Sequence, residues 1–109
     1  MIKAQFYKVA DRYCGFCVSG HALYDESGQD IVCASVSSAV QMAANTITEI
    51  IAADASVKVE EDGAVNLRLV SGGGEKIESA SAVISGLRLH LTLLSKQYKG
   101  TIGIDDSEV

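Results

Sequence analysis

Apolar and polar positions alternate from the first residues, with Ile2, Ala4 and Phe6 on one side and Lys3, Gln5 and Tyr7 on the other. A period of two marks a half-buried strand, here over Ile2 to Val9. Asp11-Arg12 can turn the chain, and Tyr13 to Ser19 reads as a second strand. Gly20 to Gln29 is polar and acidic and contains Gly28, which predicts a loop. Asp30 stands where a helix N-cap is wanted, its carboxylate able to accept from the amide of Cys33. Val36, Val40, Ala43, Ile47 and Ile50 follow at spacings of four and three. They predict an amphipathic helix of roughly five to six turns, ending near Asp54.

The period of two returns with Val57 and Val59, and again with Val65, Leu67 and Leu69. Antiparallel partners share a face, so Val59 should oppose Val65 and Val57 should oppose Leu67. That register leaves Glu61-Asp62-Gly63 as the loop, with Gly63 at the left-handed position. Ser71-Gly72-Gly73-Gly74 is a connector. A second helix then carries Ile77, Ala80, Ile84, Leu87, Leu91 and Leu94 at alternating spacings of three and four. Ile102 and Ile104 supply a short last strand, and Asp105 to Val109 reads as a frayed acidic tail. The order ββαββαβ predicts an α/β two-layer sandwich. Its sheet is mixed, mostly antiparallel and of four to five strands, with two long helices on one face. Residues 1–109 form a single domain on this reading.

Composition narrows the function. The chain has 109 residues, 48% of them hydrophobic, enough to bury a core. The apolar-leaning stretch Ile31 to Ala53 is interrupted by Ser, Gln, Asn, Thr and Glu, which predicts no membrane span. The N-terminus lacks the continuous apolar block of a secretory signal, so the cytoplasm is the expected compartment. A net charge of −5 disfavours direct nucleic-acid binding and suits a basic polypeptide partner. Three cysteines, an odd number, argue against a disulfide framework.

Four features could carry chemistry. Cys14-Gly15-Phe16-Cys17 is a C-x-x-C, but redox motifs of that form sit at a helix N-terminus, and this one falls inside a strand. Residues three apart on a strand point to opposite faces with Cα atoms ~10 Å apart, too far for a disulfide. No second half of a zinc site follows it, so no metal is expected. Ser71 to Gly74 lacks the Gly-Lys-Ser/Thr of a phosphate loop, and Glu75 would repel a phosphate. His90 stands alone beside the apolar seam of the second helix. His21 and Cys33 are the pair with chemistry: one at a strand end, the other in the first turn of a helix, where the dipole favours a thiolate. Cys33 falls about sixty degrees from the centre of the buried stripe, at ~100° per residue, hence sheltered but reachable. Ser37 lies one turn further along the same side. From the residues alone the pair is either a Cys-His dyad or a coincidence.

The segment Gly20-His21-Ala22, Tyr24-Asp25, Gly28 and Asp30-Ile31-Val32-Cys33-Ala34-Ser35-Val36-Ser37 resembles the ribosomal-processing cysteine protease (Prp) family. Gly86-Leu87 and Gln97-Tyr98 are similar to the family's second helix and its exit. Relatives commonly have a proline where Lys99 follows that Tyr, and the Cys14–Cys17 stretch has no counterpart among them. The resemblance implies a cofactor-independent cysteine endopeptidase. Its substrate would be the precursor of the twenty-seventh large-subunit ribosomal protein, from which it removes an N-terminal extension. It further implies His21 as general base and Cys33 as nucleophile, Gly20, Asp30 and Ser37 as supporting residues, and a homodimer. The segment Ala22 to Gln29 would then be a mobile lid over the dyad, and the helix-start amides would stabilise the oxyanion. The rival readings are a non-catalytic ribosome-associated module that grips a basic protein with Asp25-Glu26 to Asp30, and a redox or metal protein using Cys14 and Cys17.

Overall fold

The computed structural model describes residues 1–20, 26–70 and 74–109, with residues 26–30 described in backbone only. Among the described residues there are five strands: β1 (Ile2–Val9), β2 (Arg12–Gly20), β3 (Ala55–Val59), β4 (Val65–Leu69) and β5 (Ile102–Glu108). Helix α1 spans Glu26–Asn45 and continues into a π-helical turn over Thr46–Ile50, and α2 spans Glu75–Gln97. The strands form one sheet in the order β3-β4-β2-β1-β5. Three neighbouring pairs are antiparallel, and β1 with β5 is parallel.

These pairings leave β3 parallel to β2, and β5 parallel to β4. A parallel strand cannot be reached by a tight turn, so each needs a crossover, and α1 and α2 supply them. The first crossover moves toward β3. The second starts on an oppositely directed strand and moves toward β5, so it is the first rotated half a turn about the sheet normal. Right-handed crossovers therefore put both helices on the same face. The core lies between that face and the helices. Phe6, Phe16, Ile47, Leu67, Ile84 and Leu91 are its largest fully buried side chains.

The β3–β4 hairpin pairs Val59 with Val65 and Val57 with Leu67, as the alternation requires. Gly63 sits at φ 90°, a left-handed conformation that favours glycine. On α2, Ala80, Ile84, Leu87 and Leu91 are buried, and Ile77 and Leu94 are half-buried at the ends of the seam. Ile31–Ile50 has the length and mean hydropathy (1.2) of a membrane span, despite its interruptions. Val32, Val36, Val40, Ala43 and Ile47 nevertheless turn inward and form part of the core.

Three expectations need correction. Helix α1 starts at Glu26, so residues 26–29 are helical rather than loop and Asp30 lies in the second turn instead of capping. A glycine inside a helix costs only about 1 kcal/mol relative to alanine, so Gly28 does not stop it. The acidic tail is not frayed: Ser107 pairs with Tyr7 and Glu108 with Lys8, and the Val109 amide donates to the Lys8 carbonyl. Side chains hold it as well. Gln5 Nε2 donates to Ser107 Oγ at 2.6 Å, and Arg88 of α2 grips Asp106 with two hydrogen bonds of 2.8 and 2.9 Å.

The Arg88 hydrogen bond lowers the Asp106 carboxyl pKa below its usual value. A depressed carboxyl stabilises the fold above the unfolded value of ~3.9 and loses that contribution as pH falls through its own pKa. Both side chains are about one-third exposed, so the pair is worth less than ~1 kcal/mol. Asp106→Asn should therefore lower stability slightly at neutral pH, with the difference vanishing in strong acid. Paired urea titrations at the two pH values check it.

Candidate active site

A cleft of about 650 Å³ opens between α1 and the end of the sheet formed by β2, β4 and β3. Its helix wall is two rows of side chains four residues apart. Val36, Val40 and Ala44 form the apolar row, and Cys33, Ser37, Gln41 and Asn45 form the polar one. Spacing of four repeats along one helix face, so the thiol heads a continuous polar stripe. Cys33 is half-buried and packs against the core, while Ser37 is exposed. The sheet wall consists of Ile2, Val18, Ser19 and Gly20, then Val57, Val59 and Val65, with Asp62 and Gly63 at the hairpin tip.

Gly20, Cys33 and Ser37 thus meet around one cleft. His21 and the lid segment through Asp25 lie outside the described residues. The Asp30 backbone is in α1, and its amide and that of Cys33 fall within the helical stretch. Cys33 is the eighth residue of the helix, where amides bond to the preceding turn. Its own N–H is therefore not a spare donor for an oxyanion, contrary to the expectation from a start at Asp30.

Gly20 ends β2 at φ 91°, and a Cβ there would stand 2.7 Å from the Met1 carbonyl oxygen. Glycine alone meets both constraints. Gly20→Ala should cost about 1–3 kcal/mol through left-handed strain and move the chain that leaves β2 toward His21. Thermal unfolding measures the first effect, and the rate of Cys33 alkylation measures the second.

The other candidates disperse. Cys14 has no partner between the Tyr7–Gly15 and Lys8–Tyr13 pairs, so it is the extra residue of a β-bulge. It lines a separate hollow of about 790 Å³ at the far end of the sheet with Arg12, Glu78 and Ser81, and no histidine is among the lining residues. Cys17 lies on the outer face between Gln5 and Asn66, opposite in direction to the buried Phe16 and Val18. Burial pushes its thiol pKa up, with Arg68 opposing and Asp62 and Glu60 adding to the rise. All three cysteines are free; Cys14 opens onto that hollow and Cys17 sits between Gln5 and Asn66, so the two thiols are not joined as a redox pair. His90 is exposed on α2 and lines neither hollow. Among the described residues no group of three His, Cys, Asp or Glu side chains could hold a metal ion.

The sequence pattern found Cys33 and Ser37 but not Gln41 and Asn45, although both continue the same spacing of four. Val57, Val59 and Asp62 carried no local signal. They belong to the cleft only because the hairpin folds alongside α1.

The family model described as cysteine protease Prp matches residues 1–103. The chain belongs to the cysteine protease Prp family. It is accordingly a cysteine peptidase. Comparison with curated proteins gave no match. Among solved structures, an S. aureus ribosomal processing protease Prp with a covalently linked product peptide is 20% identical, with a TM-score of 0.83 over 98% of this chain and all of that one. The Streptococcus mutans protein SMU.848 is 24% identical, with a TM-score of 0.82 over 100% of this chain and 96% of that one. The S. aureus protease with a substrate peptide gives a TM-score of 0.81 at 21% identity, over 98% of this chain and 100% of that one. At these identities the likeness is one of fold, and the Prp fold has the five-stranded mixed sheet and two helices described above.

Proposed function

We propose that this Prp-family chain is an endopeptidase that removes the N-terminal extension from the twenty-seventh protein of the large ribosomal subunit. The observation that carries the reading is the position of Cys33, half-buried in the wall of a cleft that also reaches Gly20. Gly20 is bonded directly to His21, so strand end and thiol are brought to one place by β2 and α1. The S. aureus protease of the same fold is a ribosomal processing enzyme and holds a covalently linked product peptide, which supports a covalent route and a ribosomal substrate.

In the mechanism, His21 takes the Cys33 proton, and the thiolate attacks the scissile carbonyl carbon. The tetrahedral adduct collapses as His21 hands that proton to the leaving amine, which leaves a thioester. Water, deprotonated by His21, attacks the thioester and releases the new carboxylate, and the thiol is restored. Asp30, Gly20 and Ser37 support the dyad in this scheme, and no cofactor takes part.

The reading extends to place and assembly. Cleavage occurs in the cytoplasm, on a protein partner rather than on nucleic acid, in keeping with the net charge of −5. The enzyme acts as a homodimer: Leu89 and Leu93 stand 60% and 55% exposed on α2, and a partner copy would cover them. Light scattering at micromolar concentration should give twice the chain mass. The deciding experiment incubates the protein with the extended ribosomal protein and sequences the new N-terminus by mass spectrometry. An uncut substrate removes the reading.

A further inference from the structure

We infer that the free edge of β3 holds the substrate as a sixth strand, by main-chain hydrogen bonds from Val57 and Val59. This rests on the endopeptidase reading above. β3 is the last strand on its side of the sheet, paired only with β4 among the described residues. The ladder fixes which of its main-chain groups are spare. The Glu60 amide donates to the Ala64 carbonyl and the Val70 amide donates to the Asp54 carbonyl, both in the register that pairs Val57 with Leu67. Antiparallel strands alternate bonded and non-bonded pairs. Residues 54, 56, 58 and 60 therefore turn their N–H and C=O groups inward to β4. Ala55, Val57 and Val59 turn theirs outward.

The same alternation sets the side chains. Val57 and Val59 point to the helix side, and both line the cleft that contains Cys33. Yet they are 41% and 68% exposed, because α1 does not cover them. One strand thus presents spare donors and acceptors at its edge and an apolar floor beside them, continuous with the nucleophile's cleft. An extended polypeptide satisfies both at once: its backbone pairs with the edge, and alternate side chains face the helix side over the valines.

The opposite edge is built differently. β5 carries Asp105, Asp106 and Glu108, charges of the kind that discourage strand addition. On β3 the charged Lys58 is turned to the outer face and paired with Glu60 at 3.4 Å, so within the strand the helix side carries only Ala55, Val57 and Val59 and no charge. The surface fits an unfolded, extended segment such as a protein terminus, not a helix or a folded domain.

The test uses the native protein and synthetic peptides spanning the cleavage site of the extended ribosomal protein, each N-methylated at one backbone amide. A paired strand directs every second amide at the edge. We expect kcat/KM to fall at least tenfold at alternate positions over the paired segment and to change little at those between. Val57→Pro removes one outward N–H without touching the β4 ladder and should lower kcat/KM at least tenfold. Val57→Ala keeps that N–H and should cost much less. Circular dichroism and an unchanged rate of Cys33 alkylation confirm that both variants are folded. Cleavage with a flat methylation scan, or equal losses in the two variants, overturns the edge alone. Failure of the native protein to cut the unmodified peptide overturns both readings, since no substrate then remains for the edge to hold.

Discussion

Cys33→Ala and His21→Ala should each reduce cleavage of the extended ribosomal protein to background. Nucleophile and base act as a unit, so each loss exceeds the ~10²–10⁴-fold that general acid–base assistance supplies alone. The structure gives a reason why no other cysteine can substitute. Cys14 opens onto a different hollow at the far end of β2, and Cys17 faces away from the helices. Burial holds the Cys17 thiol above its ordinary pKa, which leaves it protonated and slow to react at neutral pH. Cys14→Ala and Cys17→Ala should keep most activity. Labelling with iodoacetamide followed by peptide mapping should show Cys33 modified before Cys17, with activity lost in step with Cys33. A Cys33→Ala protein that still cleaves at a substantial rate would falsify the dyad.

How much of this was legible in the chain depends on how local the cause is. The register of the β3–β4 hairpin was readable because two alternating runs flank a glycine that the turn itself requires. The buried seam of α2 was readable for the same kind of reason, a spacing repeated within one element. The start of α1 was not. Glu26 to Gln29 carry the polar residues of a loop, and Gly28 reads as punctuation until its modest cost in a helix is weighed. The last strand was hidden by its own side chains. Asp105, Asp106 and Glu108 look solvated, but Gln5 binds Ser107 across a separation of 102 residues, which no local pattern encodes.

The candidate site divides along the same line. Cys33 and Ser37 follow from the helical period, and Gln41 and Asn45 extend it. The sheet wall depends on topology: β3 reaches the cleft only because the first crossover carries the chain past β4 to the edge. A strand order is a property of the whole chain, so Val57, Val59 and Asp62 could not be assigned before it was known. The same order leaves β3 without a partner on its outer side among the described residues, and the proposed substrate strand follows from that.

Phe16→Ala should be the most damaging single change to the fold. Phe16 lies on the central strand, and the register places it in one cross-strand row with Phe6 and Leu67, all three fully buried. The rings of Phe6 and Phe16 are 6.3 Å apart between centroids, and Tyr13 meets the edge of Phe6 at 6.1 Å. Deleting a buried phenyl ring costs about 3–5 kcal/mol, from lost transfer energy and from the cavity left behind. Small domains have only ~5–15 kcal/mol in hand, so one change takes a large share of the total. At ~4–8 °C per kcal/mol, the melting temperature should fall by about 12–40 °C. The row continues through Leu67 to Val57 on the edge strand, so the loosening reaches the sheet wall of the cleft. Calorimetry checks the stability loss. Phe16→Leu, which refills much of the volume, should recover over half of it, and a loss equally large in both variants would mean that the aromatic contacts rather than the volume hold the sheet together.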